Sequence, residues 1–185
     1  MKVLLHTCCG PCASACVPRL KDEGHEVTMF YANSNIDTEE EFKRRLAAAS
    51  QLAAADGVGL VADEYDHAAW LRDVAAGLED EPEKGARCAK CFRFNLARTA
   101  AYAAAHGYDA FVTSLTVSPH KVSPVIFAQG DAVSAKFLHY DFKKKEGFKL
   151  SVRRAQKLGL YRQSYCGCEF SKRAQEARMK GGPCP

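Results

Sequence analysis

Three cysteines follow the first apolar stretch of this chain. Cys8, Cys9 and Cys12 come after the run Val3-Leu4-Leu5 and enclose Gly10-Pro11. The run favours a buried strand, and the Gly-Pro pair favours a sharp turn into a helix, because proline is pre-organised for a first helical position. The thiols are therefore predicted at a strand end and helix N-terminus, where unpaired N–H groups favour thiolates. A lone cysteine there would suggest a buried apolar residue, but three suggest a metal centre or reactive thiol.

A second pair, Cys88 and Cys91, opens a predicted long helix at a spacing of one turn. This spacing directs two sulfurs to the same side, as iron-sulfur and zinc sites require. With Cys8 and Cys9 the pair makes a set of four thiolates. Zinc is the main alternative to an iron-sulfur cluster, but adjacent cysteines are unusual in simple structural zinc sites, which favours the cluster.

Cys9-Gly-Pro-Cys12 is also the dithiol sequence of thioredoxin-like proteins, which place it at a similar strand-to-helix junction. A thiol-disulfide oxidoreductase is therefore an alternative function. This hypothesis is the weaker one, because Thr7-Cys8 stands where that class usually has an aromatic residue. It also leaves five cysteines without a role, namely Cys8, Cys88, Cys91, Cys166 and Cys168.

Cys166 and Cys168 form a Cys-x-Cys pair near the C-terminus. A disulfide between them would close a very small ring and be easily reduced, which suits a redox shuttle. Two further metal ligands are an equally good interpretation of the residues alone. Cys16, one helical turn after Cys12, is typical of a core residue, and Cys184 in the tail is typical of a free thiol.

Polar residues also follow two other predicted strands. Asn33 and Asn35 follow the second strand, and Ser118, His120 and Lys121 follow the fourth. Because the carboxyl ends of parallel strands meet at one edge of a sheet, these residues should lie near the first three thiols. His120 is a better candidate for a catalytic residue than the other histidines. Lys121 could meet a phosphate or an oxyanion, although a lone lysine is usually solvated.

Strands and helices alternate along the chain. After the first strand, strands are predicted over 27–32, 59–62 and 109–115, and helices over 13–23, 39–56, 68–78 and 87–106. The last third predicts helices over 125–129 and 151–158, a strand over 136–141 and an irregular stretch over 161–168. Thr38 should cap the second helix, with Glu41 as its capping-box partner. The alternation predicts an α/β fold in three layers, Rossmann-like with a mainly parallel sheet (nucleotide alpha-hydrolase-like), and an irregular, helical C-terminal region.

The composition supports one domain spanning residues 1–185, with 47% hydrophobic residues. Nine cysteines, without a signal-peptide pattern or a membrane-length apolar run, predict a cytoplasmic protein with metal or redox chemistry. The net charge of +4 is modest. Local basic pairs could hold a polyanion, although a solvated face is the simpler interpretation; they are Arg44-Arg45, Lys143-Lys-Lys145, Arg153-Arg154 and Lys172-Arg173.

Aromatic and histidine side chains give weaker signals. Trp70, Tyr161 and Tyr165 are candidates for stacking on a nucleobase, although aromatic residues more often lie in the core. His6 follows the first apolar run and is expected to be a core or supporting residue rather than a catalyst.

Several blocks, in order along nearly the whole chain, resemble the cobalamin-independent epoxyqueuosine reductases, the QueH family. The resemblance rests on Leu5-His-Thr-Cys-Cys-Gly-Pro-Cys12, Asn33-Ser-Asn-Ile36 with Arg45 downstream, Arg87-Cys-Ala-Lys-Cys-Phe92, Thr113-Ser-Leu-Thr-Val-Ser-Pro-His-Lys121, Asp141-Phe-Lys-Lys-Lys145 and Tyr161-Arg-Gln-Ser-Tyr-Cys-Gly-Cys168 with Ser171. Each block alone is a weak signal, but together they are specific.

The resemblance implies the last step of queuosine synthesis, in which the epoxide of epoxyqueuosine at the wobble position of tRNA is reduced to an alkene with loss of water. It implies a 4Fe-4S cluster on Cys8, Cys9, Cys88 and Cys91, and no cobalamin. It also implies a redox-active disulfide between Cys166 and Cys168, and an additional iron for which Cys12 is a candidate ligand.

The remaining expectations concern partners and substrate contacts. The partners would be tRNA carrying epoxyqueuosine and an unidentified electron donor, with no membrane. The candidate substrate-binding residues are Asn33, Asn35, Arg45, Ser118 and Lys121. A zinc-stabilised RNA-binding module is a third, non-enzymatic alternative.

Overall fold

A four-stranded parallel sheet forms the centre of the computed structural model, which describes residues 1–180. Its strands are β1 (Lys2–His6), β2 (Glu26–Tyr31), β3 (Gly59–Ala62) and β4 (Ala110–Thr113), in the spatial order β3-β2-β1-β4. Leu5 of β1 lies opposite Met29 of β2 and Val112 of β4. Because β1 is paired on both sides, the chain leaving it is held at the middle of the sheet.

Helices connect the strands and cover both faces of the sheet. They are α1 (Gly10–Asp22), α2 (Glu39–Asp56), α3 (His67–Trp70), α4 (Ala86–Ala105), α5 (Ser123–Asp131), α6 (Gly147–Lys157) and α7 (Glu169–Met179). A π-helical turn, Leu71–Ala75, follows α3, and a 3-10 turn, Ser114–Val117, follows β4. None of the described helices combines the length and apolarity that crossing a membrane would take.

Alternate residues of β1 enter two different cores. Val3 and Leu5 pack with residues of α1, α2 and α6, whereas Leu4 packs with residues of α4 and α5. This burial on both faces explains why the strand is a continuous apolar run rather than an alternating one. The predicted α/β architecture with a parallel sheet is confirmed.

The prediction for α2 is confirmed at both ends. The Thr38 hydroxyl accepts a hydrogen bond from Glu41 N at 3.2 Å, and Gly57 ends the helix in the left-handed region at φ 63°. Glu41 does not act as a capping-box partner, because its carboxylate binds Arg45 at 2.7 Å and Tyr161 at 3.1 Å. Pro18 lies inside α1 without ending it.

The structure departs from the predictions most in the last third of the chain. The strand predicted over 136–141 is wrong, since only Phe137 forms a bridge, to Phe111. Beyond it, the Tyr140 hydroxyl is directed away to Glu23, with an O–O distance of 2.6 Å. The predicted helix over 68–78 is also too long, because the chain leaves α-helical geometry after Trp70 and turns at Gly77.

Helix α7 had no counterpart among the predicted elements. Cys184 lies outside the described residues.

Candidate active site at the carboxyl edge of the sheet

A cavity of about 570 Å³ opens where the chain leaves β1, β2 and β4. The structure brings to its wall the polar groups predicted to meet there. They are Cys8, Cys9 and Cys12 after β1, Asn33 and Asn35 after β2, and Ser118, His120 and Lys121 after β4. These three groups are far apart along the chain, but they meet in space because their strands are parallel and end at the same edge of the sheet.

The three thiols after β1 form a compact group. The sulfurs of Cys8, Cys9 and Cys12 all lie within 4.8 Å of one another. Cys9 is the N-cap of α1, and its sulfur accepts a hydrogen bond from Cys12 N at 3.4 Å. A β-carbon at Gly10 would lie 2.7 Å from Ala48 O, so only glycine lets α1 begin this close to α2. We call these three residues the strand-end site.

Ser114 fixes the first of these thiols and was missed by sequence reasoning. Its hydroxyl accepts a hydrogen bond from Cys8 N at 3.0 Å and donates one to Cys8 Sγ at 3.2 Å. The sequence signals were its place directly after β4 and within the block Thr113–Lys121, but neither assigned Ser114 a role. The neighbouring strand therefore sets the position of Cys8.

Hydrogen bonding makes the three thiols unequal. The pKa of the Cys9 thiol lies well below its usual value, because hydrogen bonds from Cys12 and Cys8 stabilise its thiolate. The pKa of Cys12 is raised by the same contacts and by burial. A thiolate at a helix N-cap is a good ligand for a thiophilic metal, so the residues present fit such a group.

The second cysteine pair lies on α4. Cys91 lines the main cavity, and Cys88 lines a smaller adjoining cavity of about 100 Å³ together with Cys91. Cys88 Sγ accepts a hydrogen bond from Lys84 N at 3.3 Å. Within residues 1–180, Cys8, Cys9 and Cys12 form the group at mutual ligand distance. The predicted four-thiolate set with Cys88 and Cys91 stays a prediction.

Cys166 and Cys168 lie on a C-terminal arm, which we define as residues 161–179. Cys166 is exposed and lines both cavities, whereas Cys168 is half-buried and packs against Trp70. Both are free thiols here. Gly167 between them has φ 152°, and a β-carbon there would lie 2.8 Å from Asn35 Nδ2. A glycine is therefore needed to seat the arm on the Asn35 loop.

Arg45 holds this arm in place. It is 1% exposed, and its guanidinium donates to Glu41 Oε1 at 2.7 Å and to Cys166 O at 2.8 Å. Its charge also lies 4.9 Å from the centre of the Tyr165 ring. Arg45 lines the cavity as a predicted substrate contact would, but its observed contacts position the Cys166 backbone.

Asp37 provides a second attachment for the arm. Its carboxylate accepts hydrogen bonds from the Tyr165 hydroxyl at 2.7 Å and from Lys172 Nζ at 3.0 Å, and Asp37 N donates to Gly167 O at 2.9 Å. Burial alone would raise the pKa of Asp37, but the hydrogen bonds from Tyr165 and Lys172 lower it below its usual value. Polar side chains thus carry most of this attachment.

Comparison with known proteins identifies the family of the chain. The family model for epoxyqueuosine reductase QueH matches residues 3–174. The chain belongs to the QueH family. It is 36% identical to the epoxyqueuosine reductase QueH of Streptococcus pyogenes serotype M1 over 94% of this chain and 71% of that protein. It is 32% identical to the epoxyqueuosine reductase QueH of Thermotoga maritima, over 97% of both chains.

A solved structure supports the fold. The NMN synthetase from Francisella tularensis matches with a TM-score of 0.51 at 9% identity, over 100% of this chain and 79% of that one. This likeness concerns the fold alone. The predicted family, fold class and enzyme class, an oxidoreductase, are confirmed for this QueH protein.

The asparagines of the QueH site are tied to its framework. Asn33 Nδ2 donates to Thr7 O at 2.9 Å, and Asn35 Oδ1 accepts from Asn95 Nδ2 at 2.9 Å. Asn95, on α4, was missed by sequence reasoning. Because Asn95 lies one helical turn after Cys91, it connects the α4 thiols with the loop after β2.

His6 is a structural residue, as predicted. It is fully buried, with one ring nitrogen 2.8 Å from Thr113 Oγ1 and the other 3.1 Å from Ala32 O. Burial lowers its pKa to about 4, so the ring is neutral at pH 7. His6 therefore ties the ends of β1, β2 and β4 together.

The loop after β4 places a cation beside the thiols of this QueH protein. Lys143 Nζ donates to Lys121 O at 2.6 Å and so holds this loop. Burial alone would lower the pKa of Lys121, but the neighbouring thiolates, Cys166 most strongly, raise it above its usual value. Lys121 is therefore cationic, while His120 is exposed at the cavity mouth.

The aromatic candidates for base stacking are already engaged. Trp70 is fully buried, so the prediction that it could stack on a base is wrong. The Tyr161 hydroxyl bonds to Glu41, and the Tyr165 ring faces Arg45. These aromatic residues therefore already have partners within the protein. The sequence alone cannot distinguish such residues from aromatic residues that are free on the surface.

The basic runs are divided between the interior and the surface. Arg154 bonds to Asp56, and Lys172 bonds to Asp37. Other members are exposed and have no carboxylate partner within residues 1–180; they are Lys144, Lys145 and Arg153. The charge available to an anionic partner is thus smaller than the sequence suggests.

Proposed function

We propose that this protein reduces epoxyqueuosine to queuosine at the wobble position of tRNA, using a thiolate-bound iron-sulfur centre. The observation that carries the proposal is the cysteine-lined cavity at the carboxyl edge of the sheet in a member of the QueH family. Cys8, Cys9 and Cys12 lie within mutual ligand distance, and Cys91 faces the same space.

The reaction requires two electrons and two protons. Both carbon-oxygen bonds of the epoxide break, a carbon-carbon double bond forms between the same carbons, and the oxygen leaves as water. Oxidation of the Cys166 and Cys168 thiols to a disulfide would release two electrons and two protons, which balances this change. An external reductant, which is the unidentified electron donor, would then restore the dithiol.

We assign the cofactor positions by ligand chemistry. Cys8, Cys9, Cys88 and Cys91 would hold a 4Fe-4S cluster, and Cys12 is the candidate ligand for an additional iron. When bound, a cluster of this kind supplies electrons one at a time. Burial raises the pKa of Cys91, because water cannot reach the sulfur to stabilise a thiolate. A bound metal would stabilise that thiolate instead.

Other residues of the chain would bind and orient the substrate. Lys121 holds a positive charge beside the thiols and would stabilise negative charge on the departing oxygen. His120, exposed at the mouth, is the proposed proton donor. The further candidates for substrate contact are Asn33, Asn35, Arg45 and Ser118, all in the cavity wall.

Binding of tRNA would use the surface cations. Lys144, Lys145 and Arg153 are exposed and available to phosphates. We also propose a cytoplasmic location, where thiols stay reduced and where tRNA is found.

The deciding experiment is anaerobic incubation with epoxyqueuosine-containing tRNA and a reductant, followed by mass analysis of the nucleosides. Conversion to queuosine, with iron and acid-labile sulfide bound to the protein, is the expected result. Zinc without conversion would favour an RNA-binding module, and reduction of a disulfide substrate without iron would favour a thiol-disulfide oxidoreductase. Cys16→Ala is a matched control, since Cys16 is fully buried in the core and outside the cavity wall.

A further inference from the structure

We propose that Phe148 is the platform on which a nucleobase of the tRNA stacks at the mouth of the cavity. This inference rests on the proposed function, because it names a contact for that substrate. Phe148 is 40% exposed and lines the cavity that contains the thiols. Within residues 1–180 no aromatic ring stacks on it and no cation lies over its face.

Other aromatic residues in the same wall are occupied. Phe92, on α4, is 9% exposed and packs into the core. The Tyr165 ring faces Arg45 and Lys172, and its hydroxyl bonds to Asp37. Phe148 therefore has the apolar surface that is free for a base.

A strained turn directly before Phe148 fixes the position at which this residue leaves the core. Lys145 and Glu146 are non-glycine residues in the left-handed region, with φ 56° and 58°. A β-carbon at the next residue, Gly147, would lie 1.7 Å from Phe142 O. This tight turn packs the start of α6 onto the core, so Phe148 emerges at a defined position.

Helix α6 is also attached to the helix that carries the thiols. Arg154 Nη1 donates to Ser14 O at 2.6 Å, and the Ser14 hydroxyl donates to Ser151 O at 3.4 Å. Because Ser14 lies two residues after Cys12 on α1, Phe148 is mounted on a rigid element next to the strand-end site. Such mounting suits a positioning contact for a substrate.

The charges around Phe148 fit an unpaired nucleotide. The cations Lys121 and Arg162 line the same cavity as Phe148, and Arg162 is exposed. An aromatic face in a cavity with cations is the pattern by which proteins bind single-stranded nucleic acid, with the base stacked and the phosphate neutralised. Bases of an anticodon loop, next to the modified nucleoside, offer this chemistry.

The test compares the affinities of variants for epoxyqueuosine-containing tRNA at fixed salt. Phe148→Ala should weaken binding by about 5-fold to about 150-fold, the range for losing one stacked base. Phe148→Tyr should bind within about 3-fold of wild type, because it keeps the ring. The matched control is Leu71→Ala, which removes another exposed apolar side chain outside the cavity wall and should bind like wild type.

The salt dependence separates stacking from a general disturbance of α6. Removing a base contact leaves the number of neutralised phosphates unchanged, so the slope of log Kd against log salt should be the same for Phe148→Ala and wild type. Lys144→Ala should instead reduce that slope by about one. Wild-type affinity in Phe148→Ala, a reduced slope, or failure of Phe148→Tyr to restore binding would overturn the proposal.

The two proposals fail in different ways. If wild-type protein binds tRNA but converts no epoxyqueuosine, the proposed reaction is wrong. If wild-type protein is active and Phe148→Ala binds tRNA normally, only the stacking role is wrong.

Discussion

The strand-end site and the C-terminal arm both bring thiols to one cavity, but they are held by different forces. Cys8 and Cys9 follow a strand paired on both sides, and the Cys9 sulfur caps a helix. The arm reaches the same cavity through side chains, chiefly Arg45 and Asp37. Backbone pairing fixes the first group, whereas polar contacts hold the second.

This difference suits the proposed roles of the two regions. Metal ligands must keep their geometry, and the sheet supplies that rigidity to Cys8 and Cys9. A dithiol that alternates with a disulfide must change its covalent state, so the attachment of the arm should tolerate local movement. The exposure of Cys166 and the burial of Cys9 agree with this division.

The most severe test of the comparison is Cys9→Ser. Serine is a good helix N-cap, so the fold should survive while the thiolate ligand is lost. The affinity for metal should fall by more than the roughly 10-fold to 100-fold typical of removing a supporting residue, and epoxyqueuosine reduction should be abolished. Metal analysis and nucleoside mass analysis measure both. Full metal content in this variant would remove Cys9 from the ligand set.

Arg45→Met should damage the arm without touching the thiols. The change removes the Arg45 guanidinium from the buried Glu41 carboxylate, which keeps the Tyr161 hydroxyl, and should lower the free energy of unfolding by about 3 to 5 kcal/mol, as for other broken buried ion pairs. Denaturant unfolding measures the loss, and hydrogen exchange should locate the loss of protection in residues 161–179. Lys43→Ala, on the exposed side of α2 and paired with Glu39, is the matched control and should resemble wild type. Equal hydrogen-exchange protection of the arm in both variants would contradict the conclusion that Arg45 holds the arm in place.

Thiol alkylation should distinguish the two cysteines of the arm. Cys166 is exposed, whereas burial raises the pKa of Cys168 to about 11 and so lowers its thiolate fraction. We expect Cys166 to react at least about 10-fold faster than Cys168, since the thiolate is the reacting species. Peptide mass analysis over time follows both sites. The Cys166→Ser variant should keep its bound metal. Loss of metal from this variant would show that the arm and the strand-end site bind the metal together.

The smallest effect should come from acid. Hydrogen bonds hold the pKa of Asp37 below its usual value, so its contribution to arm stability is fully present above about pH 4 and is lost as the pH falls through the lowered pKa. Trp70, the single tryptophan, lies 6.3 Å from Phe170 of α7 and reports on the arm by fluorescence. The Trp70 fluorescence of Asp37→Asn at neutral pH should already resemble that of the wild type in acid. Its fluorescence should also change less than that of the wild type when the pH is lowered. The same titration in both proteins would exclude Asp37 as the cause.

Local signals predicted the parts of the fold with regular patterns. The bounds of α2 and β3 agree with the sequence prediction, because Thr38 and Gly57 mark the helix ends and the third strand is short and apolar. The stretch 136–141 mixes apolar and charged residues, and within it Phe137 alone forms a bridge, to Phe111. A pattern of residue types cannot report whether a partner strand exists.

The candidate site divides in the same way. Residue type and spacing were enough to single out Cys8, Cys9 and Cys12, because three thiols at a strand end rarely serve only packing. Ser114 and Asn95 could not be singled out, since a serine and an asparagine are common and their contacts to Cys8 and Asn35 cross long stretches of chain.

The sequence by itself determined which chemistry this protein carries, namely thiols in spaced pairs on an alternating α/β chain of the QueH family. Only the tertiary structure decided how those thiols are supported. Arg45 belongs to a basic pair in the sequence, yet its neighbour Arg44 faces solvent while Arg45 holds Cys166. The physical reason is that burial and pairing depend on chain segments far apart in sequence, which meet only when the sheet has formed.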